Sequence, residues 1–146
     1  MKKGSLTGLF TLCFAALVSA QVPSAVSAAF HHDKPGVANP TFVQEGPLWK
    51  AQFTENGKQV FNAYTADGTY QFKETTLGKP EVPALILADM EQRFGPNGGI
   101  NTFEGVAKRQ LPDGTVHYEY QFSQSGSHIE VFYNEDGHIV KRNVFQ

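Results

Sequence analysis

The residues best placed to do chemistry cluster in one segment, "HYEYQFSQSGSHIEVF", where His117, Glu119 and Gln121 alternate with apolar side chains and His128, Glu130 and Phe132 repeat the alternation. Imidazoles beside carboxylates can serve acid–base catalysis or metal ligation. A period of two puts all six on one face of a strand pair. If the chain turns at Ser125-Gly126, however, His128 lies opposite Ser123 and His117 opposite Asn134. The imidazoles are then roughly 20 Å apart, too far to share a metal. "GSH", Gly126 to His128, sets a hydroxyl beside an imidazole, but on the flank of that same turn, and it reads as a hairpin end rather than a nucleophile with its base.

A second candidate is the His31-His32 pair. Cutting the chain after Ala28 would leave Ala29-Phe30-His31 at a new terminus, where an amine, two amide nitrogens and a third-position imidazole can form the square-planar nitrogen set that suits Cu(II) or Ni(II). "ADGTY" and "EDGHI" carry too few oxygens at calcium-loop spacing and read as turns. "QVFNA", Gln59 to Ala63, has only a passing likeness to the inhibitory loop of cystatins and reads as a strand.

The elements that must position these residues follow from a repeat. "QFTENGKQVFNAYTADG", Gln52 to Gly68, returns as "QFSQSGSHIEVFYNEDG", Gln121 to Gly137, with six of seventeen positions identical. Asn56-Gly57, Asp67-Gly68, Asp113-Gly114, Ser125-Gly126 and Asp136-Gly137 supply positive φ at hairpin spacing. Two-residue turns fix the register: Phe53 with Val60, Ala51 with Asn62 and Trp49 with Tyr64 in one hairpin, and Phe122 with Ile129, Tyr120 with Val131 and Tyr118 with Tyr133 in the other. A third strand from Thr69 should bring Tyr70 and Phe72 to the same apolar face. Between the hairpins, Pro83 opens a helix whose stripe of Val82, Ile86, Leu87, Met90 and Phe94 would cover that face, and Gly95-Pro96 stops it. "FHHDKPGVANPTFVQEGP" has three prolines and no periodicity, and predicts an extended lead-in. The expectation is an α+β fold: three strands, one helix and four strands, forming an antiparallel meander sheet of duplicated hairpin units packed on one central helix.

The chain begins with Lys2 and Lys3 ahead of an apolar run, Leu6 to Val18, followed by small residues. This is the pattern of a secretory signal peptide, with cleavage expected after Ala20 or after Ala28. The expected divisions are a signal peptide at 1–28, a lead-in at 29–47 and a single domain at 48–146. Cys13 leaves with the signal, so neither disulfides nor thiol chemistry are expected. Losing Lys2 and Lys3 takes 12 basic and 14 acidic residues to 10 and 14, a net charge of −4. That balance, without a basic cluster, argues against nucleic acid and against membrane insertion of the mature chain.

With Trp49, Phe53, Tyr64, Asp67-Gly68, the Pro83-led helix, Tyr118, Phe132 and Asp136-Gly137 in these places, Leu48 to about Phe145 resembles the PepSY-like, or β-lactamase-inhibitor-like, family of bacterial envelope proteins. Members usually open with a helix just before the Trp, which Pro35, Pro40 and Pro47 argue against here. The resemblance implies a periplasmic or secreted binding module that is not an enzyme, needs no cofactor, and engages another envelope protein, with inhibition or regulation of a hydrolase as its role. No catalytic residues carry over. The face away from the helix is expected to be open and solvated, with Phe61 and Phe132 exposed, and Phe61, His117, Glu119, Gln121, Glu130 and Phe132 are its candidate partner-binding residues. The alternative function is an envelope carrier of a small ligand, or of copper or nickel through His31 and His32.

Overall fold

The computed structural model describes residues 21–96 and 100–146. The apolar run and Cys13 lie outside them. The chain runs α1 (Ser24–Asp33), β1 (Thr41–Glu45), β2 (Leu48–Glu55), β3 (Lys58–Thr65), β4 (Tyr70–Leu77), a short 3-10 turn, α2 (Ala84–Phe94), β5 (Asn101–Gln110), β6 (Val116–Gln124), β7 (Ser127–Asn134) and β8 (Ile139–Phe145). The strands form one eight-stranded antiparallel sheet in chain order.

This corrects the expected fold. The sheet is not packed on one central helix, and the molecule is more β-rich than a three-plus-four strand layout. Each half is one helix followed by four strands, so the duplication is of a larger unit than the hairpin. The supposed lead-in holds β1 and the second half of α1, which begins within the stretch assigned to the signal peptide. The prolines punctuate instead of forbidding: Pro23 precedes the first turn of α1, Pro35 and Pro40 lie in the α1–β1 link, and Pro47 sits in the β1–β2 turn beside Gly46 at φ +56°.

Both hairpin registers are as the turns dictate, with Trp49 opposite Tyr64 and Tyr118 opposite Tyr133. Asn56 and Gly57, like Ser125 and Gly126, take positive φ at both central positions, the geometry whose twist matches the strands. One expectation fails at β4. A bulge between Ala63 and Tyr64 keeps Tyr70 opposite Tyr64 but sends Phe72 to the other face, opposite Ala63.

Both helices lie on one face of the sheet. Val26 and Phe30, one turn apart on α1, are buried against Trp49, Ala51, Phe53, Val60 and Tyr64. Phe30 meets the rings of Phe42 and Phe53 edge to face at 5.8 and 5.4 Å. Ile86 and Met90, one turn apart on α2, pack with Val82 on Val106, Tyr120, Phe122, Ile129, Val131 and Tyr133. No helix among the described residues is long and apolar enough to cross a membrane.

Candidate functional site

Strand alternation leaves the helix-free face to Lys50, Phe61, Ala63, Phe72, Glu74, Ala107, Arg109, His117, Glu119, Gln121, Glu130, Phe132 and Lys141. All six partner-binding candidates from the hairpins therefore share one face. It is not the open solvated surface expected. Phe132 is only 1% exposed and Glu119 fully buried, Glu74 and Glu130 are nearly so, and Phe61 is half-buried.

The cause is curvature. A single cavity of about 280 Å³ touches Leu48 on β2 and Lys141 on β8. In a flat sheet these strands would stand about 28 Å apart, six spacings, whereas a cavity of that size spans less than half of it. The sheet curls so that its helix-free face is concave. Ala63 and Ala107, both buried, mark where this face has no bulk of its own and larger neighbours close over it.

The floor of the concavity is a network built from five strands. Arg109 on β5 donates from Nη2 to Glu74 Oε2 at 2.7 Å and to Glu119 Oε2 at 3.1 Å, and from Nε to Glu74 at 3.2 Å. Its guanidinium is sandwiched between the rings of Phe72 and Phe132, 4.0 and 4.5 Å from their centroids. Gln121 Nε2 donates to Glu119 Oε1 at 2.7 Å, and Asn143 Nδ2 to Glu130 Oε2 at 3.0 Å. Lys50 pairs with Glu45 and lies about 6 Å from the rings of Phe61 and Phe72. His128 contacts Glu104 and, at 3.4 Å, Glu130.

Two neighbouring carboxyls are driven apart. Burial pushes Glu119 up to about 8, the charge of Glu74 adding to this and Arg109 opposing it. Burial also acts to raise Glu74, but Lys50, Arg109 and a hydrogen bond from Glu119 outweigh it and hold it below the usual range. At neutral pH Glu119 is thus the protonated member and Glu74 the charged one, the arrangement that lets both sit beside a single guanidinium.

His31 and His32 are adjacent, exposed positions of α1, with His32 against Asp33 at 3.2 Å. Among the described residues no group of three or more His, Cys, Asp or Glu side chains could hold a metal. His117 and His128 face Asn134 and Ser123, as the turn predicted. Sequence reasoning missed Glu74, Arg109 and Phe72. The signal for Arg109 was present: the Asp113-Gly114 turn sets it opposite His117. Phe72 was hidden by the bulge.

No protein-family profile and no curated protein matches the sequence. The fold has solved counterparts. The chain is similar to a DUF2874 family protein from Bacteroides ovatus at TM-score 0.64 and 16% identity, over 86% of this chain and 89% of that one. It is similar to a candidate periplasmic protein from Bacteroides eggerthii at TM-score 0.66 and 19% identity, over 86% and 90%. A BLIP-like protein from Bacteroides fragilis matches at TM-score 0.61 and 16% identity, over 86% and 89%. At these identities the likeness is one of fold: this chain has the fold of the BLIP-like and DUF2874 proteins.

Proposed function

We propose that this chain is a periplasmic or secreted PepSY-like binding module that is not an enzyme and engages another envelope protein on its concave sheet face, with a hydrolase as the partner class. The observation that carries the reading is a sheet face free of helices, curled around a cavity, whose floor is fixed by Arg109 between two aromatic rings and two carboxyls. Such a network prevents the floor from collapsing and presents a rigid surface, so a partner loses little free energy ordering it. The fold shared with BLIP-like and candidate periplasmic proteins supports the same class and location. So does the signal-like start of the sequence.

The test compares faces. Mature protein tagged at its C-terminus is cross-linked in its host and purified, in parallel with Lys141→Glu on the concave face and Leu85→Ser on α2, whose side chain is 88% exposed on the helical side. A partner lost with Lys141→Glu and kept with Leu85→Ser is expected. A partner lost only with Leu85→Ser would overturn the assignment to the concave face.

A further inference from the structure

The concave cavity is chemically one-sided. Its polar lining is Arg109, Lys141, His117 and the amide of Gln71, with no carboxylate among the lining residues, although the chain as a whole is acidic. The acids nearby are already engaged beneath it: Glu74 and Glu119 on Arg109, and Glu130 on Asn143 and His128. Two cations keep unused capacity. Arg109 donates through Nε and Nη2, while its Nη1 donates to no described residue, and the side chain as a whole is 12% exposed. Lys141 makes no ion pair with a described residue and only lies 5.7 Å from the ring of Phe132. Phe72, Phe132, Leu48 and Leu111 supply apolar walls. At about 280 Å³ the space is at the lower limit of ligand sites and accepts a side chain or two, not a cofactor.

We propose that this cavity receives a carboxylate carried on an apolar neighbour, namely an acidic residue next to an aromatic one in a segment of the partner protein, with the carboxylate meeting Arg109 Nη1 and Lys141 and the ring lying against the part-exposed side chains of Leu48 and Leu111. The inference rests on the concave-face reading and specifies its chemistry. A charge-assisted bond to a largely buried guanidinium is stronger than one at an open surface, and two cationic donors favour a carboxylate over the neutral amide of the same shape. A cationic residue would be rejected by Lys141 and Arg109.

The experiment is an NMR titration of the full mature protein that follows the Arg109 Nε–H and the backbone amides of Phe72, Leu111 and Phe132. The probes are acetyl-Gly-Phe-Glu-Gly-amide, its Gln and Lys counterparts, and free 3-phenylpropionate. Saturable shifts at these positions with the Glu peptide, weaker by about tenfold for the Gln peptide and absent for the Lys peptide, are expected. Lys141→Glu, an exposed residue whose change leaves the core intact, should lower Glu-peptide affinity by about tenfold or more, and Leu85→Ser should leave it unchanged. Equal binding of the Glu and Gln peptides, or no saturable shift with any probe, would overturn the proposal. Binding of 3-phenylpropionate without the Glu peptide would overturn the protein source in favour of a small acid. If Lys141→Glu abolishes partner capture while the Glu peptide does not bind, the carboxylate subsite fails and the concave-face reading survives. If capture depends on Leu85 alone, the reading itself fails.

Discussion

Tyr133 donates its hydroxyl to Asp89 at 2.8 Å, and sixty-nine residues earlier Tyr64 does the same to Asp33 at 3.1 Å. Each bond ties the second inner strand of a half to the helix that opens that half. A hairpin duplication alone would not have produced this pairing, because the helix partner lies outside the repeated segment. The repeating unit is a helix and four strands held together by a tyrosine. The second half adds Tyr120, which donates to Glu91 at 3.1 Å.

Tyr133→Phe should destabilise the protein by about 1 kcal/mol, since it removes one hydrogen bond and leaves a carboxylate that water can still reach, and Tyr64→Phe by about 2 kcal/mol, since it also strips the buried Asn62 Nδ2 of its acceptor. The two sites lie in different halves, so the double variant should lose the sum. Urea denaturation of the two single variants and the double variant checks both statements. A double variant that loses much more than the sum would mean that the halves are coupled through their helices.

Glu119 makes stability depend on pH. In the unfolded chain it loses its proton near 4.5, while in the folded protein it keeps it to about 8. Between those values the folded state binds more protons, so the contribution of Glu119 is fully present below 4.5 and is lost as pH rises through 8. The groups facing it are Glu74 on β4, Arg109 on β5 and Glu130 on β7. Glu119→Gln keeps the shape and removes the titration. Relative to wild type it should gain stability between pH 5 and pH 8.5, by up to roughly 1 kcal/mol per pH unit. Thermal melts across that range are the measurement, and parallel curves for the two proteins would refute the assignment.

Phe132→Ser should cost about 3 kcal/mol or more, because the ring is buried and one of the two faces that hold Arg109 is lost with it. Phe145→Ser, on the edge strand with its ring about half exposed, should change stability by no more than about 0.5 kcal/mol. Chemical denaturation of this pair separates a structural ring from a surface one.

Signal cleavage should fall after Ala20, giving Gln21 as the mature terminus. A cut after Ala28 would divide α1 and remove Val26, which is fully buried with Phe30 against β2 and β3. Intact-mass analysis of the exported protein decides between the two sites. Val26→Ala should lower stability by about 1 to 2 kcal/mol if the helix is retained, and would have no effect if it is removed.

The hairpins were legible because Asn56-Gly57 and Ser125-Gly126 allow only one kind of turn, and a two-residue turn fixes every pair behind it. The helix from Pro83 was legible for a similar reason, since a proline start and an apolar stripe have one reading. The helix α1 was not. Only Val26 and Phe30 of it are fully buried, and the prolines after it read as a coil when their positions relative to the helix are unknown. The concave site was half legible. Alternation placed Phe61, His117, Glu119, Gln121, Glu130 and Phe132 on one face, but their burial comes from the curl of the whole sheet, to which the bulge at Ala63/Tyr64 contributes. Curl is a property of eight strands together. Nothing local to Glu119 announces that Glu74 will lie beside it.

Because each strand of the sheet pairs only with its neighbours in the chain, the one long connection the sheet must close is that between β4 and β5, which carries α2. The other strand pairings are hairpins, the local kind of contact that favours faster folding. The first helix and four strands have every partner they need before β5 exists, and the second half can grow on the finished edge of β4 as on a template. The bond from Arg109 to Glu74 spans that seam, and the second ring over Arg109, Phe132, comes from β7, so the binding floor is completed only when both halves are in place.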